Sequence, residues 1–141
     1  MNTFGSDKIK DEVILTARFL LVLLFLIFGW EKLTNYSGTV AYMQQVGAPM
    51  PPIATLVAIF MEFFVSWAIV LGVFTRPLSV LLAVYTLGTA LIGHHYWAMT
   101  AMDRFEAEIN FCKNISIFGG FFLLYVTGAG KYSLDAKLWL Y

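Results

Sequence analysis

Long apolar stretches separated by shorter polar ones dominate the pattern of the chain. Four apolar stretches cover residues 13–30, 53–73, 78–97 and 111–127. A helix needs about 20 mostly apolar residues to cross the hydrocarbon core of a bilayer. In hydrocarbon, each backbone N–H and C=O group must also find its partner within its own segment. The pattern predicts an all-α membrane protein, with a bundle of four transmembrane helices that forms a single domain over residues 1–141.

The polar segments predict how these helices are connected. The turn at residues 75–77 is so short that the second and third helices must form an antiparallel hairpin. Between the first two helices, the stretch TVAYMQQV mixes apolar and polar residues and is followed by Gly47 and three prolines. We expect a short interfacial helix there that ends at these residues. The segment AMTAMDRFEAEIN is polar and acidic and predicts a loop.

Composition agrees with lipid as the main solvent. Hydrophobic residues make up 60% of the chain and charged residues 13%, whereas a typical soluble domain has about 25% charged residues. Nine basic and nine acidic residues give a formal net charge of zero, so charge gives no reason to expect a nucleic-acid partner. The single cysteine, Cys112, excludes a CxxC redox centre within the chain.

The distribution of lysine and arginine predicts the orientation. The side that holds both termini carries six of these residues, Lys8, Lys10, Arg18, Arg76, Lys131 and Lys137, and the opposite side carries Lys32, Arg104 and Lys113. Positive charge is enriched in cytoplasmic segments. We therefore expect both termini in the cytoplasm.

Two ionisable residues lie inside predicted helices. Glu62 is nine residues into the second helix, about 13 Å deep at 1.5 Å per residue. A carboxylate there must be protonated, paired or facing a hydrated cavity, so Glu62 either forms a structural hydrogen bond or belongs to a functional pocket. Arg18 lies inside the first helix, where its side chain either extends to the headgroups or forms an inner ion pair with Glu62.

The predicted topology brings three polar helix ends into the leaflet opposite the termini. These ends should converge with Glu62 on a pocket open to the outer aqueous phase. The candidate pocket residues are Glu62, His94, His95, Lys32, Asn110, Lys113 and Asn114, together with the aromatic residues Trp97 and Tyr85 in the wall.

The adjacent histidines His94 and His95 have two interpretations. Neighbours on a helix differ by about 100° in direction, so the pair cannot bind one metal ion from one face as an H-x-x-x-H pair can. We therefore predict no metal site, and no catalytic residue is assigned. The histidines either carry protons in a membrane pathway or anchor the helix end at the interface.

Several segments together resemble the DoxX family of small membrane proteins. They are Arg18 followed by the apolar run into FGWEKL, then GAPMPP, Glu62, LGVFTRP at 71–77, INFCKNISIFGGFFLL at 109–124, and GAGKYSLD. The resemblance covers nearly the whole chain. It implies a four-helix, multi-pass protein of the bacterial inner membrane.

The resemblance leaves function open. Some relatives belong to thiosulfate:quinone oxidoreductase or to membrane-associated redox assemblies. The resemblance therefore implies a quinone-linked or redox-associated subunit, with quinone as a cofactor and redox-complex subunits or further copies of the chain as partners. No cofactor motif in the chain supports electron transfer by itself, and whether the protein is an enzyme stays open. The alternatives are a module that binds or transports a small lipophilic ligand, and a structural partner of a membrane complex.

Overall fold

The computed structural model describes residues 6–138, and four of its helical stretches are long and apolar enough to cross a membrane. We call them span 1, Asp7–Thr34, span 2, Pro51–Leu71, span 3, Thr75–Ala98, and span 4, Ala101–Thr127. No strand occurs among the described residues. The prediction of an all-α bundle with four membrane-spanning helices is confirmed.

Seven α-helices and two irregular helical turns build the described part of the chain. In order they are α1 Ser6–Thr34, α2 Tyr36–Gln45, α3 Pro51–Ile59, a π-helical turn Phe60–Val65, α4 Ser66–Leu71, α5 Thr75–Gly93, a 3₁₀ turn Tyr96–Ala98, α6 Ala101–Thr127 and α7 Leu134–Leu138. Span 2 thus combines α3, the π-helical turn and α4. The spans run antiparallel, so α2 marks one end of the bundle, the α2 end, and α7 marks the other, the α7 end.

The short helix predicted between the first two spans is present as α2. The Asn35 side chain caps it by accepting a hydrogen bond from the Gly38 backbone N–H at 3.3 Å. The helix ends just before Gly47, which has a φ of 75° that glycine adopts without strain. Pro51 then starts α3 in the first helical turn, where its missing N–H removes no hydrogen bond.

Two boundaries differ from those predicted, and both change the site. The α-helix of span 3, α5, ends at Gly93, and His94 follows it with φ −128° and ψ 42°, outside the helical region. Most of the polar segment at residues 98–110 is not a loop, because α6 already begins at Ala101. That segment contains no glycine or proline and several good helix formers, so it continues the helix beyond its apolar part.

The helices pack as two pairs. α5 and α6 lie against each other along their length, and α1 packs on span 2. The two pairs meet in an apolar core formed by Val22, Phe25, Leu26, Met61, Val65, Ile69, Leu82, Ala83, Phe121 and Leu124. Towards the α2 end the polar residues of all four spans take the place of this core.

α1 approaches span 2 most closely at Gly29. A Cβ atom added there would lie 2.8 Å from the backbone carbonyl carbon of Glu62 and 2.8 Å from the backbone nitrogen of Phe63. Both neighbours are backbone atoms, which cannot move aside as a flexible side chain can. The absence of a side chain at Gly29 is therefore what lets α1 lie against the π-helical turn.

Substituting Gly29 with alanine should force these two helices apart. We expect a destabilisation of about 1–3 kcal/mol, the usual cost of overpacking, measured by unfolding of the purified protein in mixed micelles. Gly119→Ala is the matched control, since a Cβ at Gly119 meets nothing within 4 Å. Equal stability of the two variants would contradict the close approach.

Arg18 is fixed at the α7 end rather than near Glu62. Its side chain is buried, with 1% of its surface exposed. The guanidinium donates hydrogen bonds to the carbonyl oxygens of Val70 and Tyr132, both at 2.8 Å, and of Ala129. Val70 lies eight residues beyond Glu62 in span 2, about 12 Å away along a helix. The predicted Arg18–Glu62 ion pair is therefore wrong, and so is the predicted extension of Arg18 to the headgroups.

Two further charged side chains at the α7 end contact the ends of helices. The Asp135 carboxylate accepts hydrogen bonds from the backbone N–H groups of Phe74 and Thr75 at 2.7 and 2.8 Å, at the start of α5. Arg76 donates to the carbonyl oxygens of Tyr125 and Val126 at 2.7 and 3.1 Å, at the end of α6. Each charge is opposite in sign to the helix end that it contacts, so each contact stabilises the fold.

A candidate ligand-binding cavity

A large cavity, which we call the bundle cavity, lies at the α2 end between the two helix pairs. Its volume is about 990 Å³, at the upper end of the range of about 300–1,000 Å³ that small-molecule sites occupy. All four spans and α2 contribute to its wall. The apolar part of the wall includes Leu24, Phe25, Phe28, Met43, Val46, Ile53, Val57, Ala58 and Ile92.

Glu62 anchors the deeper polar part of the cavity, which we call the inner polar group. Its carboxylate oxygen Oε2 lies 2.7 Å from the Lys32 ammonium, and Oε1 accepts a hydrogen bond from the Tyr85 hydroxyl at 2.5 Å. Glu62 is 7% exposed. The inner polar group of Lys32, Glu62 and Tyr85 therefore joins three spans through one paired carboxylate in the wall of the cavity.

The local backbone around Glu62 is unusual. The π-helical turn Phe60–Val65 has Glu62 near its centre, and the Ser66 hydroxyl donates to the Met61 carbonyl oxygen, five residues back, at 3.4 Å. Such turns change the direction of side chains relative to a regular helix and occur frequently at functional sites. Here the turn lies against Gly29, so Glu62 reaches the end of α1 and meets Lys32.

A second polar set, the mouth polar group, lies nearer the α2 end on α5 and α6. Lys113 donates to the Asn110 side-chain oxygen at 2.7 Å, and the Asn114 amide donates to the Thr89 hydroxyl at 3.2 Å. The half-buried His94 lies beside them in the cavity wall. The mouth polar group consists of Thr89, His94, Asn110, Lys113 and Asn114.

The structure brings most of the predicted pocket residues together. Lys32, Glu62, Tyr85, His94, Asn110, Lys113 and Asn114 all line the bundle cavity. Thr89 and the residues of α2 were not predicted to do so. A threonine inside an apolar span is a weak sequence signal, and α2 was expected only to lie at the interface.

His95 and Trp97 lie outside the cavity lining. The His95 ring nitrogen Nδ1 is 2.7 Å from the Ile92 carbonyl oxygen, and its ring packs near Trp97. Trp97 is 56% exposed and contacts Tyr96 and Phe111 edge to face. The two histidines are thus separated: His94 faces the cavity, whereas His95 belongs to an aromatic cluster.

The structure gives no arrangement typical of a metal centre in the part of the chain that it describes. No group of three or more His, Cys, Asp or Glu side chains within residues 6–138 is placed to hold a metal ion. The polar chemistry of the cavity consists instead of ammonium, amide, hydroxyl, imidazole and carboxylate groups on an apolar wall.

Comparison with known proteins gives consistent matches over most of the chain. A family model described as DoxX matches residues 13–95. The inner membrane protein YphA of Escherichia coli (strain K12) is 50% identical over 140 residues, which cover 97% of this chain and 100% of the relative. The inner membrane protein YqjF of the same strain is 39% identical over 136 residues, covering 93% and 95% of the two chains.

A third relative has lower identity to this chain. The ER-derived vesicles protein ERV29 of Saccharomyces cerevisiae (strain ATCC 204508 / S288c) is 26% identical over 136 residues, which cover 96% of this chain but 37% of the relative. No solved structure gives a significant match.

Proposed function

The chain belongs to the DoxX family of integral inner-membrane proteins, and from this premise we propose that its bundle cavity binds a lipophilic molecule of the quinone class. The observation that supports the proposal most directly is the inner polar group at the deep end of a cavity of about 990 Å³ with a largely apolar wall. Ligand sites commonly combine an apolar wall with a few convergent polar groups.

The hydrogen-bonding groups favour a ligand whose head carries oxygen acceptors. The Lys32 ammonium has three N–H donors, and it directs one to Glu62 at 2.7 Å and a longer one to the Phe28 carbonyl oxygen at 3.5 Å. Glu62 already accepts from both Lys32 and Tyr85, so its charge is neutralised within the protein. This disfavours a cationic ligand and favours a neutral head with carbonyl or hydroxyl oxygens.

A quinone fits these residues. Its ring and apolar tail would contact side chains such as Phe25, Phe28 and Val57, and a ring oxygen would accept from Lys32. When bound, a quinone supplies two-electron, two-proton chemistry. The Tyr85 hydroxyl holds a proton in its hydrogen bond to Glu62, so an exchangeable proton lies at the cavity wall. Lys32 binds and orients the head group.

The cellular arrangement follows from the charge distribution of the chain. We propose that both termini lie in the cytoplasm, because the α7 end carries most of the lysine and arginine residues. The bundle cavity then opens on the periplasmic side. The proposed partners, besides the bilayer, are redox-complex subunits that exchange electrons with the quinone, or further copies of the chain.

The sharpest test of this proposal is a substitution whose new side chain fills the cavity without disturbing the backbone. Gly88 lies in the cavity wall, and a Cβ atom there meets nothing within 4 Å. Gly88→Phe should therefore abolish the thermal stabilisation and fluorescence quenching that decylubiquinone produces in the purified protein, because its ring occupies the site. Gly119→Phe is the control, since Gly119 also has open space around its Cβ position but is exposed on α6.

The outcomes separate the proposal from its alternatives. Decylubiquinone binding that survives Gly88→Phe would place the ligand elsewhere and overturn the proposal. Equal affinity for decanol and decylubiquinone would favour a general lipophilic-ligand module, because decanol has the tail but not the quinone head. No binding of either compound, together with loss of assembly in Glu62, His94 and Lys113 alanine variants, would favour a structural partner.

A further inference from the structure

We propose that the mouth polar group is a second subsite of the bundle cavity and that it binds the oxyanion head of an anionic amphiphile, with Lys113 as the recognising cation. The inference rests on the cavity as a ligand site but not on the quinone. It concerns different residues from the inner polar group and a ligand of different charge.

The mouth polar group is separated from the inner polar group along α5. Thr89, which holds Asn114, lies four residues beyond Tyr85, and His94 lies nine residues beyond it. At 1.5 Å per residue these separations are about 6 Å and 13 Å along the helix axis. The mouth polar group therefore lies at a different depth of the cavity from the inner polar group and offers different donors.

The charges of the two groups differ. Lys32 is neutralised by Glu62 at 2.7 Å. Within residues 6–138 Lys113 makes no ion pair, and its hydrogen bond goes to the neutral amide oxygen of Asn110 at 2.7 Å. Glu31 also borders the cavity, but its side chain is exposed and lies beyond ion-pair distance of Lys113. The inner polar group is thus balanced, whereas the mouth polar group carries an unbalanced positive charge.

An unbalanced ammonium group at this position favours an anion as the ligand. Lys113 is only half exposed and belongs to a membrane-spanning helix, where a charge without a counter-ion is costly. A bound oxyanion would offset that cost and would accept charge-assisted hydrogen bonds, which are stronger than those between neutral groups. The Asn110 oxygen orients the ammonium, and Asn114 and His94 border the same space.

The wall beside Lys113 indicates that the anion carries an apolar chain. Ile92, Met43, Phe28 and Val57 line the same cavity as the mouth polar group. A free inorganic anion would leave this apolar surface uncovered. An alkyl or acyl chain would cover it, and the anionic lipids of the surrounding leaflet have this combination of chain and head.

The test compares two amphiphiles that differ only in the head. Dodecyl phosphate and dodecanol are titrated into the protein in nanodiscs of phosphatidylcholine, with the dissociation constant measured by calorimetry. The wild type should bind dodecyl phosphate at least about tenfold more tightly than dodecanol, as expected for one charge-assisted contact. Lys113→Met should remove this preference, and Lys113→Arg should keep most of it. Lys131→Met, which changes a lysine at the α7 end, is the control.

Each remaining outcome has a defined meaning. Equal binding of the two amphiphiles by the wild type, or an unchanged preference in a folded Lys113→Met protein, would overturn the inference. If inorganic phosphate binds as tightly as dodecyl phosphate, the apolar chain contributes nothing to binding. The ligand would then be a free anion, and the proposal of an amphiphile would be contradicted. Decylubiquinone binding by the wild type is measured in the same nanodiscs, so failure of this inference is distinguishable from failure of the proposed function.

Discussion

Replacing Arg18 with alanine is expected to cost the folded bundle about 3–5 kcal/mol, because it removes the donors of three backbone carbonyl groups at once. Each buried polar group left without a partner costs about 1–3 kcal/mol. The guanidinium is buried and joins Val70, at the end of span 2, to Ala129 and Tyr132, in the segment after α6. The loss should appear as unfolding at lower SDS fraction in mixed micelles.

Two further variants test whether the stabilisation depends on the position and the guanidinium group of Arg18, and not only on positive charge. Arg104→Ala removes an exposed arginine of α6 and should change the free energy of unfolding by less than about 0.5 kcal/mol. Arg18→Lys should recover only part of the lost stability, because an ammonium group cannot reproduce the fork of donors of a guanidinium. Wild-type stability of Arg18→Ala would refute this account of the α7 end.

The second large effect concerns the Lys32–Glu62 pair, for which a double substitution should be milder than a single one. Glu62→Met leaves the Lys32 ammonium without its carboxylate in the cavity wall, and because the pair is only partly buried the cost is at most about 3–5 kcal/mol, the cost for a fully buried pair. In Lys32→Met/Glu62→Met both charges are gone, and replacement of a buried pair by apolar residues is often nearly neutral. We expect the double variant to unfold within about 1–2 kcal/mol of the wild type.

The double variant also separates folding from ligand binding. It retains the apolar wall but lacks the Lys32 donor, so decylubiquinone should bind at least about tenfold more weakly than to the wild type. Tyr36→Phe serves as the control, because Tyr36 donates to the Pro52 carbonyl oxygen and lies outside the cavity lining. A double variant as unstable as Glu62→Met, or one with unchanged decylubiquinone binding, would contradict the assignment of the inner polar group.

The spans were predictable from the sequence because the property that defines them is local. Apolar runs of the required length are visible without knowing any contact, and Gly47 and Pro51 mark the boundaries of α2 and α3 in the sequence itself. The start of α6 was missed because the prediction followed polarity. Ala101 and the charged residues after it form a helix regardless of whether lipid surrounds them.

Part of the polar lining of the cavity was predictable from the sequence, but the hydrogen-bond and ion-pair partners of these residues were not. Topology alone suggested that Glu62, Lys113 and His94 would converge, and all three line one cavity. The pairing of Glu62 with Lys32 could not be derived, because it depends on the close approach at Gly29 and on a π-helical turn that no residue pattern predicts. Arg18 was misassigned for a related reason: its partners are backbone carbonyl groups, which leave no signature in the sequence.

The hydrogen bond between Arg18 and Ala129 also has a consequence for the order of events during biosynthesis. The two residues are 111 positions apart, so at about 5–20 residues per second the ribosome needs roughly 6–20 s to reach the acceptor after it has made the donor. Of the three carbonyl partners of Arg18, Val70 is made first, 52 residues later, whereas Ala129 and Tyr132 follow only at the end of that interval. The packing around Arg18 is therefore completed only after span 4 and the segment that follows it have been synthesised.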